Sequence, residues 1–341
     1  MNGEWMLHRG DALGAYETWA TPTTIISDGA YGVGGFHGDP RTPDGLGEWY
    51  EPHIVEWSKH SSLATTLWFW NTEIGWANVH PILVANGWEY VETIHWDKGI
   101  GHIAGNVNGK TIRRFPVANE ICVFYQRRFQ FTFDEETLHA KQWLLREWKR
   151  TGLPVREANA ACDVKDAAVR KYLDQGWLWY PAPPEMLDKL VAYANEHGDP
   201  SGRPYFSLDG VTPLTGKEWG EMRYSWTHQH GFTNVWARPA LHGKERYKGD
   251  GRRQAPRVHK PKAGVGSAHL NQKPLEFMER IVTACTQPGD AVWEPFGGLC
   301  SGSVAAVELG RRAFAAEVDE VFCDLAEERL EAARLKQEVD Q

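Results

Sequence analysis

The stretch from Gly289 to Glu317, GDAVWEPFGGLCSGSVAAVELGRRAFAAE, constrains the fold more than any other part of the chain. Ala291-Val292-Trp293 is a short apolar run with strand character. Glu294-Pro295-Phe296-Gly297-Gly298 interrupts it sharply. Ser301 to Leu309 has helical spacing, and Gly310 ends it. Arg312 to Ala316 reads as a second strand that closes on Glu317. Strand, glycine-bearing turn, helix and strand are the repeating unit of an α/β sheet. Such a turn suits a nucleotide-type ligand, because glycine lets the backbone approach and a helix N-terminus faces it. An acid about 20 residues past the turn can hold two ribose hydroxyls. The same unit also occurs in sheets that bind nothing, so alone it leaves function open.

The N-terminal half continues the alternation. Trp5 to Asp11 is a short strand ending in Gly10-Asp11, and Thr23 to Ser27 is β-branched. A helix over Glu48–Ser61, a buried strand over Ala64–Trp70 and a helix over Ile74–Asn86 stopped by Gly87 follow. Tyr90–His95 and Glu120–Tyr125 are further strands. This order predicts a mainly parallel sheet covered on both faces. From Phe131 to about Lys262 the pattern changes to helices, with one expected over Glu135–Thr151 and another over Pro184–Glu196. A final charged helix runs from Val321 to Gln341. The predicted organisation is residues 1–130, an insert over 131–262, and 263–341.

Composition narrows the function. A formal charge of −8 excludes an overall basic field, so any nucleic-acid surface must be a local patch. Such a patch exists: Leu241 to Lys262 holds eight basic residues against two acidic ones. It reads as a phosphate-binding segment or as a solvated linker. Five scattered cysteines without CxxC spacing indicate neither a disulfide framework nor a zinc site, which fits a reducing cytoplasm. There is no signal-like N-terminus and no apolar run long enough for a membrane span. Many of the 17 tryptophans belong to the core, though some can stack on bases.

Three motifs in order carry a resemblance. They are Ile25-Ile26-Ser27-Asp28-Gly29-Ala30-Tyr31-Gly32, then His269-Leu270-Asn271-Gln272-Lys273-Pro274-Leu275, then Glu294-Pro295-Phe296-Gly297-Gly298. The chain resembles the DNA amino-methyltransferases of the permuted (beta) type over nearly its whole length. That family has an early Asp/Ser-Pro-Pro-Tyr segment, a recognition insert, a Gln-Lys-Pro helix and a late Asp/Glu-Pro-Phe-x-Gly turn. Two departures stand out. Gly29 and Ala30 replace the two prolines, and Leu299-Cys300 continues the turn where Ser/Thr-Gly is usual. Glycine frees φ where proline fixes it, so the catalytic segment is expected to order only with ligand bound.

The resemblance implies a Rossmann-like fold and S-adenosylmethionine as cofactor, with no metal. Asp11, Asn271, Lys273, Glu294, Phe296, Gly297, Gly298 and Glu317 become the expected cofactor contacts. Asp11 reads equally as a plain turn residue. Lys273 is placed to meet the cofactor carboxylate. Asp28, Gly29, Ala30 and Tyr31 become the catalytic segment. An exocyclic amino nitrogen is conjugated with its ring and is a poor nucleophile. The Asp28 carboxylate and the Gly29 carbonyl would accept its two N–H bonds and free the lone pair. Tyr31 would stack on a base turned out of the duplex. The bland reading is a glycine-rich turn capped by Asp28.

The expected partner is double-stranded DNA, and a homodimer is compatible with the family. Pro154–Cys162 and Asp166–Leu173 have the spacing of a helix-turn-helix, or of an ordinary helical hairpin. The former reading offers Arg170 and Lys171 to DNA, along with Lys244, Arg246, Arg252, Arg253 and Arg257 of the basic segment. Asp28 leans the target toward adenine N6, with cytosine N4 still open. Two other readings stand beside these: a DNA-binding regulator on a vestigial methyltransferase sheet, and methylation of RNA.

Overall fold

The computed structural model describes residues 4–35, 38–97, 113, 115, 117, 119–133, 135–164, 169–174, 176, 179–237, 260–262, 265–267 and 272–339. In chain order the strands and helices begin with β1 (Trp5–Arg9), β2 (Thr24–Ser27), α1 (Leu46–His60), β3 (Thr66–Asn71), α2 (Glu73–Ala85), β4 (Trp88–Asp97) and β5 (Asn119–Arg127). The middle holds β6 (Gln130–Phe133), β7 (Glu136–His139), α3 (Ala140–Arg150), α4 (Glu157–Ala161), α5 (Arg170–Leu173), α6 (Pro184–His197) and α7 (Gly216–Glu221). The last part holds β8 (Val235–Ala237), β9 (Lys260–Lys262), β10 (Val265–Ser267), α8 (Leu275–Cys285), β11 (Ala291–Glu294), α9 (Ser301–Glu308), β12 (Arg312–Glu317) and α10 (Glu320–Val339).

Two compact units result. The first combines Met1–Arg127 with Tyr224–Gln341, and the second is Arg128–Arg223. An eight-stranded sheet in the order β1-β12-β11-β2-β3-β5-β4-β8 forms the first unit. Its central strands β11, β2 and β3 are buried along their whole length because both faces are covered. On one face Ile26, Trp68, Trp70, Cys122 and Phe124 pack with α8, α9 and α10 through Ile281, Val304 and Leu330. On the other, Ile25, Leu67, Phe69, Val123 and Tyr125 pack with α1 and α2 through Tyr50, Ile54, Trp57 and Val79. The α/β class is therefore as expected.

The sheet is mixed, not uniformly parallel. β5 runs antiparallel to both β3 and β4, while the other neighbouring pairs are parallel. A strand–helix alternation reverses where no helix separates two strands, and the sequence between β4 and β5 carries no helical period. The five cysteines are buried free thiols. No described helix is long and apolar enough to cross a membrane.

The second unit packs the helices α3 to α7 and the β6–β7 hairpin around the fully buried Trp143, Trp148 and Trp219. Glu147, 1% exposed, anchors it by pairing with Arg150 at 2.7 Å and Arg203 at 3.0 Å. The single helix expected over Glu135–Thr151 is corrected here. Its first turn is the strand β7, paired with β6 across Thr132 and Thr137, and only α3 is helical. Where the sequence read as a helix-turn-helix or an ordinary helical hairpin, α4 has five residues and α5 four, and residues 165–168 between them lie outside the described residues. Residues 224–237 cluster with the first unit, and β8 extends its sheet beside β4.

Candidate active site

The chain leaves β11 through α9 to β12 on one side, and leaves β2 through α1 to β3 on the other. Crossovers therefore diverge between β11 and β2, and such a divergence opens a crevice at the carboxyl ends of the strands. Trp293 is in register with Ile25, so the residues after Glu294 emerge beside those after Ser27. Two segments far apart in sequence meet there. The contact is tight: a Cβ at Gly29 would lie 2.6 Å from the Phe296 ring and 2.8 Å from the Tyr50 hydroxyl.

The Asp28–Gly35 segment has its own fastenings. The Ala30 carbonyl accepts from the Tyr50 hydroxyl at 3.0 Å and from Asn71 Nδ2 at 2.8 Å. The Asp39 carboxylate accepts from the amides of Gly32 (2.9 Å), Val33 (3.3 Å) and Gly35 (2.8 Å). Gly32 sits at φ +69°, where a Cβ would strike the Pro43 backbone at 2.7 Å. A segment expected to order only with ligand is thus held by the protein's own carboxylate and hydroxyl. Sequence reasoning missed Asp39, Tyr50 and Asn71, because each acts through space on backbone groups that carry no sequence signal.

Asp28 belongs to a four-residue polar cluster. Its Oδ1 accepts from the Tyr31 hydroxyl at 2.9 Å and from Lys273 Nζ at 2.7 Å. Lys273 also pairs with Glu120 at 2.8 Å, and the Tyr31 hydroxyl shares its single proton between Asp28 and Glu120. Lys273 is 3% exposed and its ammonium lies 5.3 Å from the Tyr31 ring centroid. Burial works to lower the Lys273 pKa, but Asp28 and then Glu120 outweigh it and hold it above its ordinary value. Burial foremost, then the Asp28 charge, pushes the Tyr31 phenol well up. So the cluster holds one ammonium between carboxylates beside a neutral phenol. Lys273, expected to face a cofactor carboxylate, pairs with Asp28 and Glu120. Glu120 was not anticipated; its one signal is an acid at the head of the apolar strand EICVFY.

The glycine turn after β11 is built from the inside. A Cβ at Gly297 would meet the Cys300 sulfur at 2.7 Å, and Cys300 itself takes the left-handed conformation at φ 52°. Glu294, 3% exposed, accepts from the amides of Gly302 (2.9 Å) and Ser303 (2.6 Å) at the start of α9. Both of its oxygens therefore cap the helix, where a direct cofactor contact was expected. Burial raises its pKa to about 7 against the pull of those hydrogen bonds. The Phe296 ring is part of an aromatic wall with Trp49 (5.0 Å) and His53 (4.8 Å between centroids).

Glu317 closes β12 half-buried, accepting from the amides of Gly298 (2.7 Å) and Asp319 (2.8 Å). Burial raises its pKa. Arg9 is its register partner on β1, so the exposed Asp11 follows two residues later at the neighbouring strand end, where it caps the Leu13 amide at 2.9 Å. Two carboxylates at adjacent strand ends, next to a glycine turn, match the hydroxyl and amino donors of an adenosine moiety.

Of the expected DNA contacts, Arg170 and Lys171 are exposed on α5, with Arg170 paired to Asp174 at 3.2 Å. Lys244, Arg246, Arg252, Arg253, Arg257 and the cofactor candidate Asn271 lie outside the described residues.

A family model described as DNA methylase, of the N6/N4 methyltransferase kind, matches residues 23–328. The type II methyltransferase M2.DpnII of Streptococcus pneumoniae is 39% identical over 64 residues, covering 19% of this chain and 24% of that protein. The DNA adenine methyltransferase YhdJ of Escherichia coli K12 is 32% identical over 65 residues, covering 19% and 22%. These matches span about a quarter of the relatives' length. Among solved structures, the cytosine-N4-specific PvuII DNA methyltransferase aligns over 97% of this chain and 94% of its own, with TM-score 0.47 and 10% identity.

Proposed function

The chain belongs to the DNA methylase family of the N6/N4 kind, and from that premise we propose that it methylates an exocyclic amino group of a base in duplex DNA, adenine N6 in preference to cytosine N4. The observation that carries the proposal is the meeting of Asp28 and the Phe296–Gly298 turn at one sheet edge. S-adenosylmethionine fits the second half of that edge. Glu317 and Asp11 would take its ribose and adenine donors, and the backbone of Gly297 and Gly298 would pass close to it. When bound, it supplies an electrophilic methyl carbon on a sulfonium.

The protein's own part is positional and electrostatic. Among the described residues hydrogen bonds reach only Oδ1 of Asp28, which leaves Oδ2 to accept one N–H of the target amino group. The Gly29 carbonyl accepts the other. Together these two acceptors would withdraw the nitrogen lone pair from the ring and aim it at the side where Gly297 and Gly298 would hold the cofactor, and the Asp28 carboxylate would take the proton that the methylated nitrogen gives up. The Tyr31 ring is the stacking face for a base turned out of the helix, its hydroxyl fixed by Asp28 and Glu120. Arg170, Lys171 and the basic segment from Lys244 to Arg257 would hold phosphates. An acid at position 28 supports adenine, since the resembled family pairs Asp with adenine and Ser with cytosine.

The test is direct. Unmethylated duplex DNA is incubated with the protein and S-adenosylmethionine, digested to nucleosides and weighed. N6-methyladenine is expected. N4-methylcytosine would reverse the base assignment, and no methylated nucleoside at all would favour a DNA-binding role on the same sheet.

A further inference from the structure

We propose that Glu120 and Lys273 are positioning residues for this transfer, holding the Asp28 carboxylate charge-paired and turned so that one oxygen stays open to the target amino group. The inference rests on the function proposed above and gives that site two members beyond its catalytic segment. Lys273 Nζ reaches Asp28 Oδ1 at 2.7 Å and Glu120 Oε1 at 2.8 Å, and the Tyr31 hydroxyl sits between the same two oxygens with one proton to share. One ammonium and one phenol thus bridge two acids.

The fold explains how Glu120 arrives. The carboxyl ends of β2 and β3 define the site edge, with Ser27 in register with Phe69. Because β5 is antiparallel, its beginning lies at that edge, with Ile121 opposite Asn71. A parallel strand would have brought its end there instead. The reversal of β5 therefore delivers an acid from the start of the strand to Asp28.

The chemistry follows from charge. Two carboxylates that share one site, Glu120 buried and Asp28 partly so, repel each other, and without a cation between them one is driven toward its protonated form. With Lys273 present, both can ionise. Without it, one would take up a proton, and a protonated Asp28 is a poor acceptor for an amino group. The other groups that face Asp28 are Tyr31 in its own turn, Tyr50 on α1, Cys122 on β5 and, beyond Tyr50, Asp39. Burial foremost pushes Tyr31, Tyr50 and Cys122 well above their ordinary values, so these three stay uncharged near neutral pH. The balance is left to the carboxylates and the lysine.

The test is the pH profile of kcat/KM for methylation of unmethylated phage DNA with radiolabelled S-adenosylmethionine. It compares full-length wild type, Lys273→Met, Lys273→Arg, Glu120→Gln and the Lys273→Met/Glu120→Gln double variant, with cofactor affinity measured by calorimetry alongside. In Lys273→Met the acid limb should move up by about one pH unit or more. In the double variant it should fall back, because only one carboxylate remains. Lys273→Arg should keep the wild-type limb, and Glu120→Gln should place it no higher than wild type. A purely structural role would lower activity evenly at every pH and leave the limb in place, which would overturn the proposal. If Lys273→Met does not fold, the Arg and Gln variants decide: a limb raised in either contradicts the account. A wild type that binds cofactor and methylates DNA while a folded Lys273→Met keeps the wild-type limb sinks this inference alone; a wild type that does neither sinks the proposed function beneath it.

Discussion

Gly29 stands where a side chain has no room. A Cβ would press on the Phe296 ring at 2.6 Å and on the Tyr50 hydroxyl at 2.8 Å. Neither neighbour is free to leave. Phe296 is enclosed by Trp49, Tyr50, His53 and Trp57, and Tyr50 is tied to the Ala30 carbonyl. The resembled family has proline at this position, and here the aromatic wall dictates glycine. The stiffness that proline would give is supplied by Asp39 through three backbone amides. Gly29→Pro, which restores the family pattern, is therefore expected to destabilise the protein by about 1–3 kcal/mol. It should also slow methyl transfer at least about ten-fold by displacing Asp28. Urea denaturation and transfer rates check both. A variant as stable and as fast as wild type would show that the ring yields.

At the scale of elements, α9 depends on a buried acid in the strand before it. Glu294 ends β11 and accepts from the second and third amides of α9, satisfying donors that helix starts leave open. Its pKa in the folded protein is about 7, against an ordinary carboxylate value in the unfolded chain. The folded state thus takes up a proton between those two values that the unfolded state does not. Its contribution to stability is present in full at low pH and is lost as pH rises through about 7. Relative to Glu294→Gln, wild type should gain on the order of 2–3 kcal/mol on going from pH 8 to pH 5. Denaturant melts of both proteins at the two pH values measure this; parallel curves would contradict it.

The same scale shows what was readable in the sequence and why. β11, α9 and β12 were legible because short apolar runs end at Gly297 and Gly310, residues whose backbone demands are local. β7 was not, because Glu136-Thr137-Leu138-His139 adjoins a true helical run and only pairing with β6 makes it a strand. No expectation covered α7, although Thr215 and Glu218 form a capping box that the sequence displays. The direction of β5 was hidden, since an apolar strand looks the same in parallel and antiparallel neighbours. Glu120 was hidden with it. Asp28 and Lys273 were both legible as site residues, but their mutual contact depends on positions 245 residues apart and cannot be seen from either motif.

At the scale of the molecule, the strand order β1-β12-β11-β2-β3-β5-β4-β8 turns two distant chain segments into one edge. Glu317, Asp11 and the glycine turn lie on the β1-β12-β11 side, and Asp28, Glu120 and Lys273 gather toward β2, β3 and β5. The account requires these halves to divide the work, with cofactor held by one and the amino group by the other. The most direct measurement pairs calorimetric titration of S-adenosylmethionine with the rate of methyl transfer to unmethylated duplex DNA, for wild type and Asp28→Ala. The account predicts nearly unchanged cofactor affinity with transfer reduced by at least about a thousand-fold. Transfer at the wild-type rate in Asp28→Ala would contradict it.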